Sequence, residues 1–159
     1  MIKLTSLLLL FFVTFQFSAQ EKLEEKAIKD VIATFFKALH EGDSTLMKTT
    51  LNKEVKIQTT FTNKTGTKIL KTEPISQLLS AVSNKKPTDQ YEEKLLSIRI
   101  EVDGNLASVW TPYEFYLNGT FSHCGANSFQ LFDDNGQWKI IYLVDMRRRV
   151  NCNALLLKD

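Results

Sequence analysis

Residues 106–132 read LASVWTPYEFYLNGTFSHCGANSFQLF. Two runs rich in β-branched and aromatic residues flank Asn118-Gly119, a pair that tolerates the positive φ of a tight hairpin turn. The pattern continues on both sides. Upstream, LLSIRIEV (95–102) precedes Asp103-Gly104, and downstream WKIIYLVDMR (138–147) follows Asn135-Gly136. Four such runs joined by three tight turns predict an antiparallel meander. Its last run is apolar at successive positions, with Ile140, Tyr142 and Val144 alternating with Ile141 and Leu143. One face of the sheet can bury helices. The other needs a cover of its own, which predicts a homodimer formed through the sheet.

The residues before the meander read as helices and one hairpin. From Glu21 to His40, Ala27, Ile28, Val31, Ile32, Phe35, Phe36 and Leu39 recur at helical spacing while charged residues fill the opposite side. His40, ending this helix, is read as a cap whose protonated form suits the helix dipole. Gly42 supplies a stop, and Asp43 or Ser44 can cap a short helix carrying Leu46, Met47 and Leu51. VKIQTTFTNKTGTKILKT (55–72) then turns at Asn63-Lys64-Thr65-Gly66, and Pro74 opens the helix PISQLLSAVS. Helices followed by a curled antiparallel sheet make an α+β fold, with the helices packed on one face.

The first twenty residues, MIKLTSLLLLFFVTFQFSAQ, place one lysine before an apolar run and small residues just before Gln20. That is the layout of a secretory signal peptide over 1–20, leaving 21–159 as one domain in the periplasm or outside the cell. The apolar run is short for a membrane span, so no membrane association is expected after cleavage. With Lys3 removed, 19 basic residues (20 − 1) face 18 acidic ones, which gives no field favouring nucleic acid. Cys124 and Cys152 are the only cysteines. In an exported chain they predict a disulfide, two unpaired buried thiols being the alternative; their spacing fits no metal site.

The long first helix running into HEGDSTLMK, the helix ISQLLSAV after the first hairpin, and the run from Trp110 to Arg149 together resemble the nuclear transport factor 2-like (SnoaL-like) superfamily. The stretch from Trp110 onward is similar to exported bacterial members labelled "putative lumazine-binding". The resemblance implies a cone-shaped α+β roll of the cystatin-like kind, with a curved antiparallel sheet wrapped over the N-terminal helices and a pocket at the open end. Members of the superfamily include isomerases, dehydratases and cyclases, besides ligand-binding and scaffolding domains, so the shared fold leaves the function open.

Two-residue turns at Asn118-Gly119 and Asn135-Gly136 would set Glu114 and Arg148 opposite His123, and Trp110 opposite Asn127. Trp110, Glu114, His123, Asn127, Tyr142 and Arg148 then share one face, and Tyr113, Cys124, Asp145 and Arg147 the other. A bulge would exchange the faces. Candidate acids or bases are His123, Glu114 and Asp145; candidate ligand contacts are Trp110, Tyr113, Asn127, Tyr142 and Arg148. The bland reading of Glu114, His123 and Arg148 is a cross-strand polar ladder without chemistry. Gly125 reads as a bulge or bend. The preferred function is small-molecule binding. A metal- and cofactor-independent isomerase, dehydratase or cyclase, and a dimerisation scaffold, are the alternatives.

Overall fold

The structure is a computed structural model that describes the backbone of residues 3–152 and the side chains of residues 22–152. The leader expected over 1–20 lies outside the described side chains. Among the described residues, no helix is long and apolar enough to cross a membrane.

Helix α1 (Lys3–Glu41) leads through Gly42 into α2 (Ser44–Thr49), whose first turn is capped by the Asp43 carboxylate accepting from the Leu46 N–H at 2.8 Å. Gly42 has φ +75°, and a methyl group there would press on the Val82 carbonyl at 3.3 Å, so the break needs glycine on two counts. The hairpin β1 (Leu51–Thr62) and β2 (Lys68–Glu73) is followed by α3 (Ile75–Ser83). The remaining strands are β3 (Tyr91–Leu95), β4 (Arg99–Asp103), β5 (Leu106–Leu117), β6 (Thr120–Asp133) and β7 (Trp138–Arg148). They form one curved, unclosed seven-stranded sheet in the order β2-β1-β7-β6-β5-β3, with β4 also on β5.

The expected α+β architecture is present, with two differences in the sheet. The first is that β1 lies parallel to β7, so the sheet is mixed rather than wholly antiparallel. Parallel neighbours need a long crossover, and here everything from β2 to β6 serves as one. The second is that LLSIRIEV is interrupted. β3 pairs with residues 113–117 of β5, and β4 with residues 106–110. Between them stands Pro112, which accepts from the Leu96 N–H at 2.8 Å but has no N–H to return.

The core lies between the helices and the inner face of β1 and β5–β7. Ile28, Ile32, Phe35 and Phe36 of α1 pack on Val109, Phe129, Leu131, Ile140 and Leu143. Phe35, Phe36 and Phe129 meet edge to face, with ring centroids 5.3–6.0 Å apart.

Candidate functional site

Two bulges decide which side chains face the helices. Next to the Asn118-Gly119 turn, Leu117 pairs with Thr120 and Tyr116 with Phe121, but Phe115 pairs with His123. Ser122 is the extra residue. Between β6 and β7, Leu131 pairs with Ile140 but Gln130 with Tyr142, which leaves Ile141 over. Each insertion moves the pairing by one residue and exchanges the faces beyond it.

The inner face of the sheet therefore runs in rows. Ile57, Leu143, Phe129 and Val109, from β1, β7, β6 and β5, form one buried apolar row. The next row is Thr59, Asp145, Asn127 and Thr111. Beyond it come Arg147, Gly125 and Tyr113. Where the row turns polar the helices no longer fill the concavity, and a cavity of about 380 Å³ remains. Phe35, Phe36 and Leu39 of α1 and Leu78, Ala81 and Val82 of α3 form its apolar wall, and Tyr91 and Glu93 of β3 and Glu73 of β2 reach it from the sheet edges.

Glu93 is the most perturbed acid there. Burial pushes its carboxyl from 4.5 up to about 7, against the effect of the Asn127 amide, which donates to Oε1 at 2.8 Å. The same amide reaches Thr111 Oγ1 at 3.3 Å. The Glu93 N–H donates to His40 Nε2 at 2.8 Å, so His40 is an unprotonated acceptor rather than the charged cap expected; burial holds its pKa low. Asp145 is buried and accepts a hydrogen bond from Arg147 Nε. Burial and the nearby Asp145 and Glu93 carboxylates hold the Tyr113 phenol protonated, well above its usual range. His123 stacks on Phe115 with centroids 4.9 Å apart and meets Tyr113 edge-on at 5.8 Å. Burial, then the Arg147 charge, lowers its pKa to about 4, so it is neutral at pH 7.

Of the residues singled out from sequence, His123, Asn127, Tyr113 and Asp145 line this cavity. Trp110, Glu114, Tyr142 and Arg148 were expected beside His123 but stand on the face turned away from the helices, because of the two bulges. There Glu114 accepts from the Tyr116 hydroxyl at 2.8 Å, and Tyr142 donates to Gln58 Oε1 at 2.6 Å. Cys124, also on that face, is bonded to Cys152 with Cα atoms 5.8 Å apart. Gly125 is no bulge, since it pairs regularly with Tyr113 and Arg147. It is a close approach: a methyl group there would lie 1.8 Å from the Met146 carbonyl oxygen and 2.9 Å from the Tyr113 ring.

Glu93, Thr59 and Glu73 escaped the sequence reading. A signal for Glu93 existed, because period two along Tyr91-Glu92-Glu93-Lys94-Leu95 sets Glu93 on the face of Tyr91 and Leu95. Among the described residues, no group of three or more His, Cys, Asp or Glu side chains is placed to hold a metal ion.

Residues 23–144 match the model of the family described as "Putative lumazine-binding". No curated protein is significantly similar to the chain. Among solved structures, a nuclear transport factor 2-like protein of unknown function from Shewanella baltica OS155 superposes with a TM-score of 0.57 at 18% identity, covering 79% of this chain and 94% of its own. A cystatin-like-fold protein of unknown function from Nostoc punctiforme PCC 73102 gives 0.63 at 14% identity, covering 80% and 93%. A protein from Novosphingobium aromaticivorans described as a "Putative Scytalone Dehydratase" gives 0.62 at 11% identity, covering 82% and 88%. These likenesses establish the fold. The match over residues 23–144 goes further: the chain, which has the nuclear transport factor 2-like fold, belongs to the family described as "Putative lumazine-binding".

Proposed function

We propose that this protein binds a small, flat, partly aromatic molecule in the cavity between α1, α3 and the sheet, and that it does so outside the cytoplasm. One observation carries the reading. A cavity of about 380 Å³ with an apolar wall carries Thr59, Asp145 and Asn127 from one row of the sheet, and Arg147, Tyr113, His123 and Glu93 beyond it, the composition of a ligand pocket rather than of an unfinished core. The family's description names lumazine, a fused-ring heterocycle of the shape such a space admits. Native mass spectrometry of protein purified from its own host, with thermal-shift screening of flat heteroaromatics, tests the reading. A retained or stabilising small molecule is the expected result. A ligand-free protein that no compound stabilises, with side chains filling the space, refutes it.

Export rests on the leader layout of residues 1–20 and on the Cys124–Cys152 bond, which persists in oxidising compartments. The mature chain is then the single domain 21–159. The outer sheet face exposes Trp110 beside partly exposed Val144 and Met146, and a second copy of the chain is the cover we assign to it. Light scattering should give a dimer, and Trp110→Glu a monomer that still binds ligand.

An acid–base reaction is the second reading. The Glu93 carboxyl near 7 is matched to taking and returning a proton at neutral pH, whereas His123 near 4 is a weak base there. A substrate turned over by the natural protein and not by Glu93→Gln would establish it; equal turnover would remove it.

A further inference from the structure

We infer that the molecule held in the cavity is an organic cation, an ammonium or amidinium group on an aromatic body, seated with its charge against the Glu93 carboxylate. The inference rests on the pocket reading above and adds the chemical class of the guest.

Two features of the cavity support it, and the first is the surroundings of Glu93. The lining carries the carboxylates Glu73, Glu93 and Asp145 against the single guanidinium of Arg147. Arg147 is committed to Asp145, and Glu73 is paired with Lys71 at 2.7 Å. Glu93 has no such partner: among the described residues its side chain receives only the neutral Asn127 amide, on one oxygen. A buried carboxylate is costly without a counter-charge, and an empty cavity beside it is where a counter-charge can enter. Phe115, which pairs with Glu93 across β3 and β5, and Tyr113 stand beside this acid, and rings of this kind attract a desolvated cation in addition to the carboxylate; the Tyr91 ring already carries the Lys85 ammonium at 5.4 Å.

The second feature fixes the other end of the guest. Thr59 lines the cavity on β1, and its hydroxyl is buried with no hydrogen-bond partner. β1 and β3 are four places apart in the strand order, so Thr59 and Glu93 belong to opposite sides of the concavity. A guest with an ammonium at one end and a ring N–H at the other satisfies both.

Proton linkage follows. The charged or titratable groups facing Glu93 are Asp145 and Arg147 from β7, His123 from β6, Tyr113 from β5, Glu73 from β2 and His40 from α1. In the empty protein Glu93 is about half protonated at neutral pH. A cation binds its ionised form, so affinity rises with pH up to about 7 and levels off above.

The test uses three probes of nearly one shape on the full mature chain, by isothermal titration calorimetry: tryptamine, its alcohol analogue tryptophol, and indole-3-acetate. Tryptamine is expected to bind at least about tenfold more tightly than tryptophol at pH 8, the scale of one charge-assisted hydrogen bond, and indole-3-acetate weakest. Glu93→Gln should bring tryptamine down to the level of tryptophol while tryptophol still binds, which shows that the variant is folded. Equal affinity for amine and alcohol, or preference for the carboxylate, overturns the cation and leaves the pocket reading intact. Failure of all three also overturns the cation. Native mass spectrometry then separates the two readings: a retained non-basic molecule keeps the pocket, and an empty protein removes it.

Discussion

Replacing Glu93 by Gln should reverse the slope of stability against pH. The folded protein holds the Glu93 carboxyl near 7, whereas an exposed chain titrates it near 4.5. Between those values the folded state binds the proton more tightly than the unfolded state, so this group's contribution is complete below pH 4.5 and is lost as pH rises through 7. A separation of about 2.5 in pH, at 1.36 kcal/mol each, corresponds to about 3 kcal/mol. His123 acts in the opposite direction. Its pKa falls from 6.5 to about 4 on folding, so its contribution is complete above pH 6.5 and is lost as pH drops through 4. The imidazole is only half buried, and solvent screening reduces its effect to roughly 1–2 kcal/mol. In the natural protein His123 therefore offsets only part of the Glu93 slope between pH 4.5 and 6.5, and stability still declines with pH there.

Gln has the shape of the protonated acid and can still accept from the Asn127 amide, so the variant should match the natural protein near pH 4.5. By pH 8 it should be the more stable by about 3 kcal/mol, because it has no charge to bury. Urea unfolding at pH 4.5, 5.5, 6.5 and 8, at one fixed protein concentration, measures the difference, from which every other titrating group cancels. Parallel curves for the two proteins would show that Glu93 is not held in a desolvated site, and the argument for a counter-charge in the cavity would fall with it.

His123→Phe keeps the stack on Phe115 and should change stability at pH 7 by less than about 1 kcal/mol, while steepening the decline between pH 4.5 and 7 that Glu93 causes; urea titrations at the same pH values check this. Gly125→Ala must displace the Met146 carbonyl or the Tyr113 ring, and should cost about 3 kcal/mol or prevent folding, as read by circular dichroism and urea unfolding. Cys152→Ser removes a crosslink between residues 28 apart, and should lower stability by about 3 to 4 kcal/mol in non-reducing buffer, with no difference from the natural chain once both are reduced.

Local chemistry made much of the fold legible. Asn118 and Asn135 have φ of 53° and 55°, each followed by a positive-φ glycine, as the hairpin signals required. Gly42, the 63–66 turn and the spacing in α1 and α3 likewise act through neighbouring residues. The bulges were illegible for the corresponding reason. Neither Ser122 nor Ile141 has a chemistry that demands an unpaired place in a ladder; the insertion is settled by packing across three strands. Six candidates therefore changed face relative to His123: Trp110, Glu114, Tyr142 and Arg148 left its face, and Tyr113 and Asp145, expected on the opposite one, joined it, while Asn127 stayed with His123, being on the same strand. The β1–β7 pairing joins segments separated by the whole meander, and no local pattern encodes it.

The bulges also explain why the polar groups meet at all. Val109 and Thr111 on β5, Phe129 and Asn127 on β6, Leu143 and Asp145 on β7, and Ile57 and Thr59 on β1 each mark the step from apolar to polar on the inner face. These four steps fall on one level across the sheet only because Ser122 is left over between β5 and β6 and Ile141 between β6 and β7. In an uninterrupted β6–β7 ladder continuing the Leu131–Ile140 register, Asn127 would face Val144, and Asp145 and Arg147 would turn outward. The inner face would then carry Val144 and Met146 at that level, and α1 would cover a continuous apolar surface. A fold that needed only a core would be served well by that arrangement. The extra residue instead sets a carboxylate and a guanidinium against a buried amide and a half-protonated acid, a costly arrangement that stability alone does not call for and a bound guest does.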